Sequence, residues 1–211
     1  MESIGIIGSG DVGKALAKGF SKHGYLVMLG SQNAAKRDEF KRETGIMTGK
    51  FAEAAIFGDI VILAVKGSAA ESVLTSIAGK IAGKIVIDTS NPIAEKPPVN
   101  GVIQFFTSLD ESLMERLQRL VPDARLVKAF SCVGNAFMID PDFGQKPSMF
   151  ICGNDASAKK NVAALLEKVG WEAEDMGSSE AARAIEPLCM LWCIPGLREN
   201  KWGHAFKMLK K

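Results

Sequence analysis

Short apolar runs alternate along the chain with stretches in which apolar residues recur every three or four positions. Residues 3–7 form the first run, and residues 14–23 follow with Ala15, Leu16, Gly19 and Phe20 at helical spacing. Residues 25–29 read as a second strand, 33–43 as a charged, exposed helix, and 51–57 as a short helix. Residues 59–65 and 84–88 are continuous runs of Ile, Val, Leu and Ala, the pattern of a parallel strand buried on both faces. A helix over 69–81 separates them. Further on, helical spacing over 109–120 and 156–169 alternates with strands at 125–130, 149–152 and 172–176. This order predicts an α/β fold with a doubly wound, mostly parallel sheet, extended by extra strands.

Two segments break the alternation. Residues 93–104, with Pro97, Pro98, Asn100 and Gly101, have no usable period and read as a long surface loop, a kind that is often functional. After Gly177 the chain reads as helical, with Pro187 and Pro195 expected to interrupt it. The expected organisation is a main domain over 1–177 and a short C-terminal helical region over 178–211. Leu188, Leu191, Trp192 and Leu197 in that region would leave an apolar patch if nothing covered it. This predicts a homodimer in which the C-terminal regions help close each other's site.

Composition narrows the class. With 211 residues, 47% of them hydrophobic and 24% charged, the chain matches a soluble globular protein. Lys and Arg total 26 against 24 acids, and a net charge of +2 offers no field that would draw the protein to nucleic acid or an anionic membrane. No apolar run reaches the roughly 18 residues needed to span a bilayer, and the first residues lack the basic leader of a signal peptide. No membrane partner, no nucleic-acid partner and a cytoplasmic location are therefore expected. The four cysteines, Cys132, Cys152, Cys189 and Cys193, form no CxxC pair and have no His placed to complete a zinc set. They read as reduced and mostly buried, and no metal site is expected.

The candidate chemistry starts at the first strand. Gly8, Gly10 and Gly13 form GxGxxG between that strand and the first helix, where its physics applies. The first glycine turns the chain, the second lets a pyrophosphate approach the backbone, and the third allows close packing of helix on strand. Helix-start amides then face the phosphates. This makes the fold Rossmann-type and the ligand a dinucleotide. At the end of the second strand stand Gly30, Ser31, Gln32 and Asn33, then Lys36 and Arg37, with no acid before Asp38. An acid there would grip ribose hydroxyls, whereas hydroxyl, amide and cationic groups suit a 2′-phosphate, so NADP(H) is expected over NAD.

Several segments, in order, carry a family resemblance over about residues 3–195. They are GSGDVG (8–13), GSQNAAKR (30–37), AGKIVIDTSNP (82–92), LVKAF (126–130), ICGNDASAKK (151–160) and DMGS (175–178). The chain resembles the NADPH-dependent deazaflavin-coenzyme (F420) reductase family, and more closely the cytosolic oxidoreductase domain of the six-transmembrane epithelial metalloreductases. The resemblance implies that Ser9, Gly10, Asp11 and Val12 wrap the pyrophosphate. It implies that Ser31, Gln32, Asn33 and Lys36 hold the 2′-phosphate, and that Val65, Lys66, Asn91 and Ala129 border the ribose and nicotinamide. Where this chain has Gln32 the family generally has Arg, which removes a bidentate phosphate clamp. The metalloreductases continue into a haem-binding membrane half, and its absence from these 211 residues predicts a soluble acceptor.

The expected activity is hydride transfer between NADPH and a flavin or deazaflavin-type acceptor serving as co-substrate. That step needs two rings held in close approach and no protein acid or base. Accordingly no catalytic side chain is assigned: His23 reads as sitting at a helix C-terminus, and neither it nor His204 lies near a strand end. Trp192 could stack on a flavin, but its flanking Leu191 and Cys193 favour core packing. The alternatives are a non-catalytic NADPH-binding sensor and an imine or hydroxyacid reductase.

Overall fold

A computed structural model describes residues 2–211. Six strands form one parallel sheet: β1 (Ser3–Ile7), β2 (Leu26–Gly30), β3 (Met47–Gly49), β4 (Ile60–Leu63), β5 (Ile85–Asp88) and β6 (Arg125–Lys128), in the order β3-β2-β1-β4-β5-β6. The order reverses between β1 and β4, so the crevice of a doubly wound sheet opens at their C-terminal ends. Register draws that edge as a row: Ile7 lies opposite Gly30 and Leu63, Leu63 opposite Asp88, and Asp88 opposite Lys128. Strands β1, β4 and β5 are buried along their whole length, as their unbroken apolar runs require.

Helices cover both faces. On one, α1 (Asp11–Lys22) and α6 (Ala156–Lys168) pack with Phe20, Phe40 and Trp171. On the other, α3 (Phe51–Phe57), α4 (Gly67–Ile81) and α5 (Leu113–Leu120) pack around Leu63, Leu74 and Leu117. Helix α2 (Ala34–Thr44) buries only Phe40, matching its charged sequence. Lys84 spans β5 and α3: its ammonium donates to the carbonyls of Ala55, Ile56 and Gly58 and so closes the C-terminus of α3.

The extra strands β7 (Ser148–Ile151) and β8 (Glu172–Asp175) pair with each other in parallel as a second, two-stranded sheet. An antiparallel bridge from Lys128 to Cys152 attaches it to β6. Strand β3 was not expected from its sequence. It has only three residues at the sheet edge, too short for a periodicity. The expected helix over 109–120 begins at Leu113, because Ser112 caps it and Glu115 returns the bond to the Ser112 amide.

Two expectations for the C-terminal region are corrected. Neither Pro187 nor Pro195 breaks the chain, since α7 (Ala182–Glu199) runs through both. Ile185, Cys189, Trp192 and Gly196 make a buried stripe at spacings of four, three and four, and packing of that stripe outweighs the two missing amide donors. Residues 201–211 are not helical. They strap back over the second sheet: Phe206 accepts a bond from the Ser148 amide, the Met208 amide donates to Ser148 Oγ, and Lys207 and Lys210 pair with Glu172 and Glu174. Among the described residues, no helix is long and apolar enough to cross a membrane.

Lys128 is the central buried group. Its ammonium, wholly inaccessible, donates to Asp88 Oδ2 at 2.7 Å and to the Ser90 carbonyl at 2.7 Å, and pairs with Glu186 Oε1 at 2.9 Å. Glu186, on α7, also accepts the Leu113 and Met114 amides at the start of α5. Burial opposes the charge on Lys128, but the paired carboxylates of Asp88 and Glu186 outweigh it and raise its pKa above the ordinary lysine value.

Two predictions follow from these pairs. Lys128→Met leaves two carboxylates facing each other in the core, and urea unfolding is expected to show a loss of about 3–5 kcal/mol; a loss under 1 kcal/mol would contradict the structure. Glu115 is held at about 2, against an ordinary 4.5, chiefly by the Arg183 guanidinium and against partial burial. A depressed carboxylate contributes stability that is complete above pH 4.5 and lost as pH falls toward about 2. Glu115→Gln is expected to lower the melting temperature at pH 7 and to flatten its fall across that acid window.

Candidate dinucleotide site

The three fingerprint glycines have three different constraints. Gly8 lies at φ +130°, and a Cβ there would overlap the Ala64 carbonyl on β4's exit. A Cβ at Gly13 would overlap the Gly8 carbonyl, so this glycine sets the approach of α1 to β1. Gly10 has an ordinary extended conformation, φ −77° and ψ −176°, and a Cβ there would meet nothing within 4 Å. Neither backbone geometry nor packing requires glycine at position 10. It leaves a bare cradle at the N-terminus of α1, whose cap makes no side-chain hydrogen bond, and this suits close approach of a phosphate to the first helical amides.

From that cradle a cleft of about 490 Å³ runs across the ends of β4 and β5. Gly10, Asp11 and Val12 form one side, and Val65, Lys66 and Asn91 the other. These expected site residues therefore converge on one crevice. Asn91 is fixed by a reciprocal pair: its Nδ2 donates to the Ser131 carbonyl at 2.9 Å, and Ser131 Oγ donates to Asn91 Oδ1 at 2.6 Å. Ala129 is placed differently. It is fully buried in the core, with its amide bonded to the Asp88 carbonyl, and it does not line the cleft. Between Ala129 and Ser131, Phe130 adopts φ +58°, a left-handed conformation that costs a bulky residue about 1–3 kcal/mol. The strained turn aims Ser131 at Asn91.

The second cluster lies at the end of β2. Ser9 Oγ donates to Ser31 Oγ at 2.8 Å, linking the glycine turn to the β2–α2 loop. Asn33 caps α2 by accepting the Lys36 amide. Arg37 folds back so that Nη1 donates to the Ser31 carbonyl at 2.7 Å. Gln32, Asn33 and Lys36 are exposed around it. The loop after β2 thus carries hydroxyl, amide, ammonium and guanidinium groups within seven residues, a donor-rich set of the kind that suits a phosphate.

Several groups in the cleft escaped sequence reading. Thr89 and Ser90 line its floor, and Ile93, Ala94 and Glu95 of the long loop line its rim. The aperiodic stretch 93–104 was a usable signal. It carries small antiparallel bridges, Ile93 to Phe105 and Val99 to Val102, which fold it back on itself as an arm. Gly67 packs so closely that a Cβ would overlap the Asn91 carbonyl.

The histidines and cysteines lie apart from this chemistry. His23 sits at the C-terminal cap of α1, as expected, and its Nε2 is 2.7 Å from Asp140 Oδ1. His204 stacks on Trp192, whose Nε1 donates to the His204 carbonyl, so Trp192 is core and covered by the C-terminal strap. All four cysteines are free, three of them buried. Burial pushes Cys132 and Cys152 up to about 12, which makes them poor nucleophiles.

The chain is similar in sequence and in fold to known proteins. Residues 3–92 match the family model described as NADP oxidoreductase coenzyme F420-dependent. The chain is 33% identical over 203 residues to the metalloreductase STEAP3 of Rattus norvegicus, a match covering 92% of this chain but only 38% of that protein. It is 29% identical over 217 residues to the F420-dependent NADP reductase of Methanocaldococcus jannaschii, covering 95% of each. A solved structure from Arthrobacter sp. FB24, provisionally described as an F420-dependent NADP-reductase, superposes at a TM-score of 0.92 with 27% identity over the whole of both chains. Through its dinucleotide fingerprint, its matched residues 3–92 and its whole-chain fold, the chain is similar to the coenzyme F420-dependent NADP oxidoreductases.

Proposed function

We propose that this chain binds NADP(H) and transfers hydride between NADPH and a flavin- or deazaflavin-type acceptor. The observation that carries the reading is Gly10: a glycine that neither conformation nor packing demands, opening onto a cleft at the switch point of the sheet. The backbone at Ser9–Val12 and the start of α1 would hold the pyrophosphate. Ser31, Gln32, Asn33, Lys36 and Arg37 would hold the 2′-phosphate, with Arg37 supplying the guanidinium that Gln32 does not. Val65, Lys66 and Asn91 would border the ribose and nicotinamide.

The nicotinamide itself supplies the hydride chemistry when bound. The protein's part is to orient and to exclude water. Asn91, locked to Ser131, presents a rigid wall, and Ile93 and Ala94 on the arm offer an apolar rim against which an acceptor ring can lie. Exposed Leu191 and Leu197 on α7 support the homodimer reading. Light scattering at micromolar concentration is expected to give twice the chain mass; a monomer mass would refute the dimer.

The direct test is NADPH oxidation by the purified protein with FMN, FAD, riboflavin and the deazaflavin coenzyme, with NADH and a cyclic imine as controls. Turnover selective for NADPH with one of the ring acceptors is expected. Turnover of the imine alone would overturn the acceptor class, and tight NADPH binding with no turnover would favour a sensor. Gly10→Ala is expected to leave the melting temperature unchanged or slightly higher, because its backbone angles suit alanine, while weakening NADPH binding about tenfold or more. Arg37→Ala is expected to cut the preference for NADPH over NADH by about 5- to 50-fold, read from the ratio of the two kcat/KM values.

A further inference from the structure

The buried ions under the cleft have a charge balance that packing alone does not explain. Asp88 and Glu186 are two carboxylates against the single ammonium of Lys128. Every hydrogen bond to their oxygens comes from a donor. Asp88 Oδ1 accepts the Ser90 amide at 2.9 Å and Ser90 Oγ at 2.6 Å, and Oδ2 accepts Lys128. Glu186 Oε1 accepts the Met114 amide and Lys128, and Oε2 accepts the Leu113 amide. Each carboxylate is paired with the Lys128 ammonium and receives further backbone amides, so the cluster sets two carboxylates against one ammonium, one negative charge in excess. The first amides of α5 offset only part of that excess.

Its position gives the excess a consequence. Ser90 forms part of the cleft floor and is bonded to both Asp88 and Lys128, so the cluster lies one layer beneath the β5 end of the cleft. In a doubly wound sheet that end takes the nicotinamide half of a dinucleotide. Oxidised nicotinamide carries a positive ring charge, and reduced nicotinamide carries none. All three ions have accessibilities of 0–2%, so salt screens their field weakly. Lys66, the cation on the opposite wall, is exposed and solvated.

Resting on the NADP(H) reading, we infer that the Asp88–Lys128–Glu186 cluster sets the redox preference of the site, making it hold the oxidised, cationic nicotinamide more tightly relative to the reduced ring. By linkage, a site that favours the oxidised form biases the bound pair toward NADPH oxidation. Asp88 and Glu186 act here through their charge, at a distance from the ring.

The experiment is calorimetric titration of NADP+ and NADPH into the intact protein, Glu186→Gln and Asp88→Asn, with circular dichroism to establish folding. Each variant removes one charge with little change of shape, and the two come from different elements, so loss of fold in one leaves the other informative. The ratio Kd(NADP+)/Kd(NADPH) is expected to rise roughly 3- to 20-fold, the effect of one charge about 10 Å away at an effective dielectric of about 20–40. Glu115→Gln, which removes a carboxylate remote from the cleft, is expected to leave the ratio unchanged. A merely structural role would weaken both ligands together, so a ratio constant within twofold in a folded variant overturns this inference alone. Failure of the unaltered protein to bind either dinucleotide would overturn the function reading and this inference together.

Discussion

The ammonium of Lys128 is the constraint on which the rest of the structure depends. It is a charge at the edge of the central sheet with no access to water, so each of its protons must meet an acceptor, and the three acceptors come from two distant parts of the chain. Asp88 and Ser90 belong to the end of β5, and Glu186 to α7. Glu186 in turn satisfies the first amides of α5. One buried ion therefore fixes how two strands, a helix on the sheet face and the C-terminal helix meet. An ion triad of this kind is a weak source of net stability but a strict one for geometry, because any arrangement that leaves one member unpaired is heavily disfavoured.

The crevice inherits that rigidity. Ser90, tied to Asp88 and Lys128, continues into Asn91, and Asn91 is tied to Ser131 across the β5–β6 gap. Phe130 is held in a strained left-handed turn between Lys128 and Ser131. On the other side of the cleft, Gly8 and Gly13 bring α1 hard against the sheet, while Gly10 stays open. The walls are thus set by packing and buried hydrogen bonds, and the open point is where the first turn of α1 presents its amides. Such an arrangement suits a ligand whose recognition is mostly through backbone and phosphate, and whose reactive ring needs placement more than proton transfer.

Much of this was legible in the chain. Residues 59–65 and 84–88 had the pattern of buried parallel strands, and glycines at 8, 10 and 13 between a strand and a helix had a specific physical use. Gly10, Asp11, Val12, Val65, Lys66 and Asn91 met in one cleft because they follow strand ends on a common edge. Less legible were features whose cause lies far away in sequence. Strand β3 exists because an edge position beside β2 was available to three residues. Helix α7 survives two prolines because a buried stripe holds it. The strap after Asn200 follows Trp192 and Ser148, not any local periodicity.

The sequence by itself determined what depends on neighbours along the chain: the alternation of elements, the burial of the central strands, the glycine turn and the donor-rich loop after β2. These rest on periodicity, backbone freedom and side-chain chemistry, which are local properties. Only the tertiary structure decided which charges would be buried and with whom. Asp88, Lys128 and Glu186 are separated by 40 residues or more, and nothing in their immediate surroundings marks them as partners. Their association, and with it the charge beneath the cleft, arises because the cost of burying one ion can be met only by others that the fold delivers to the same place.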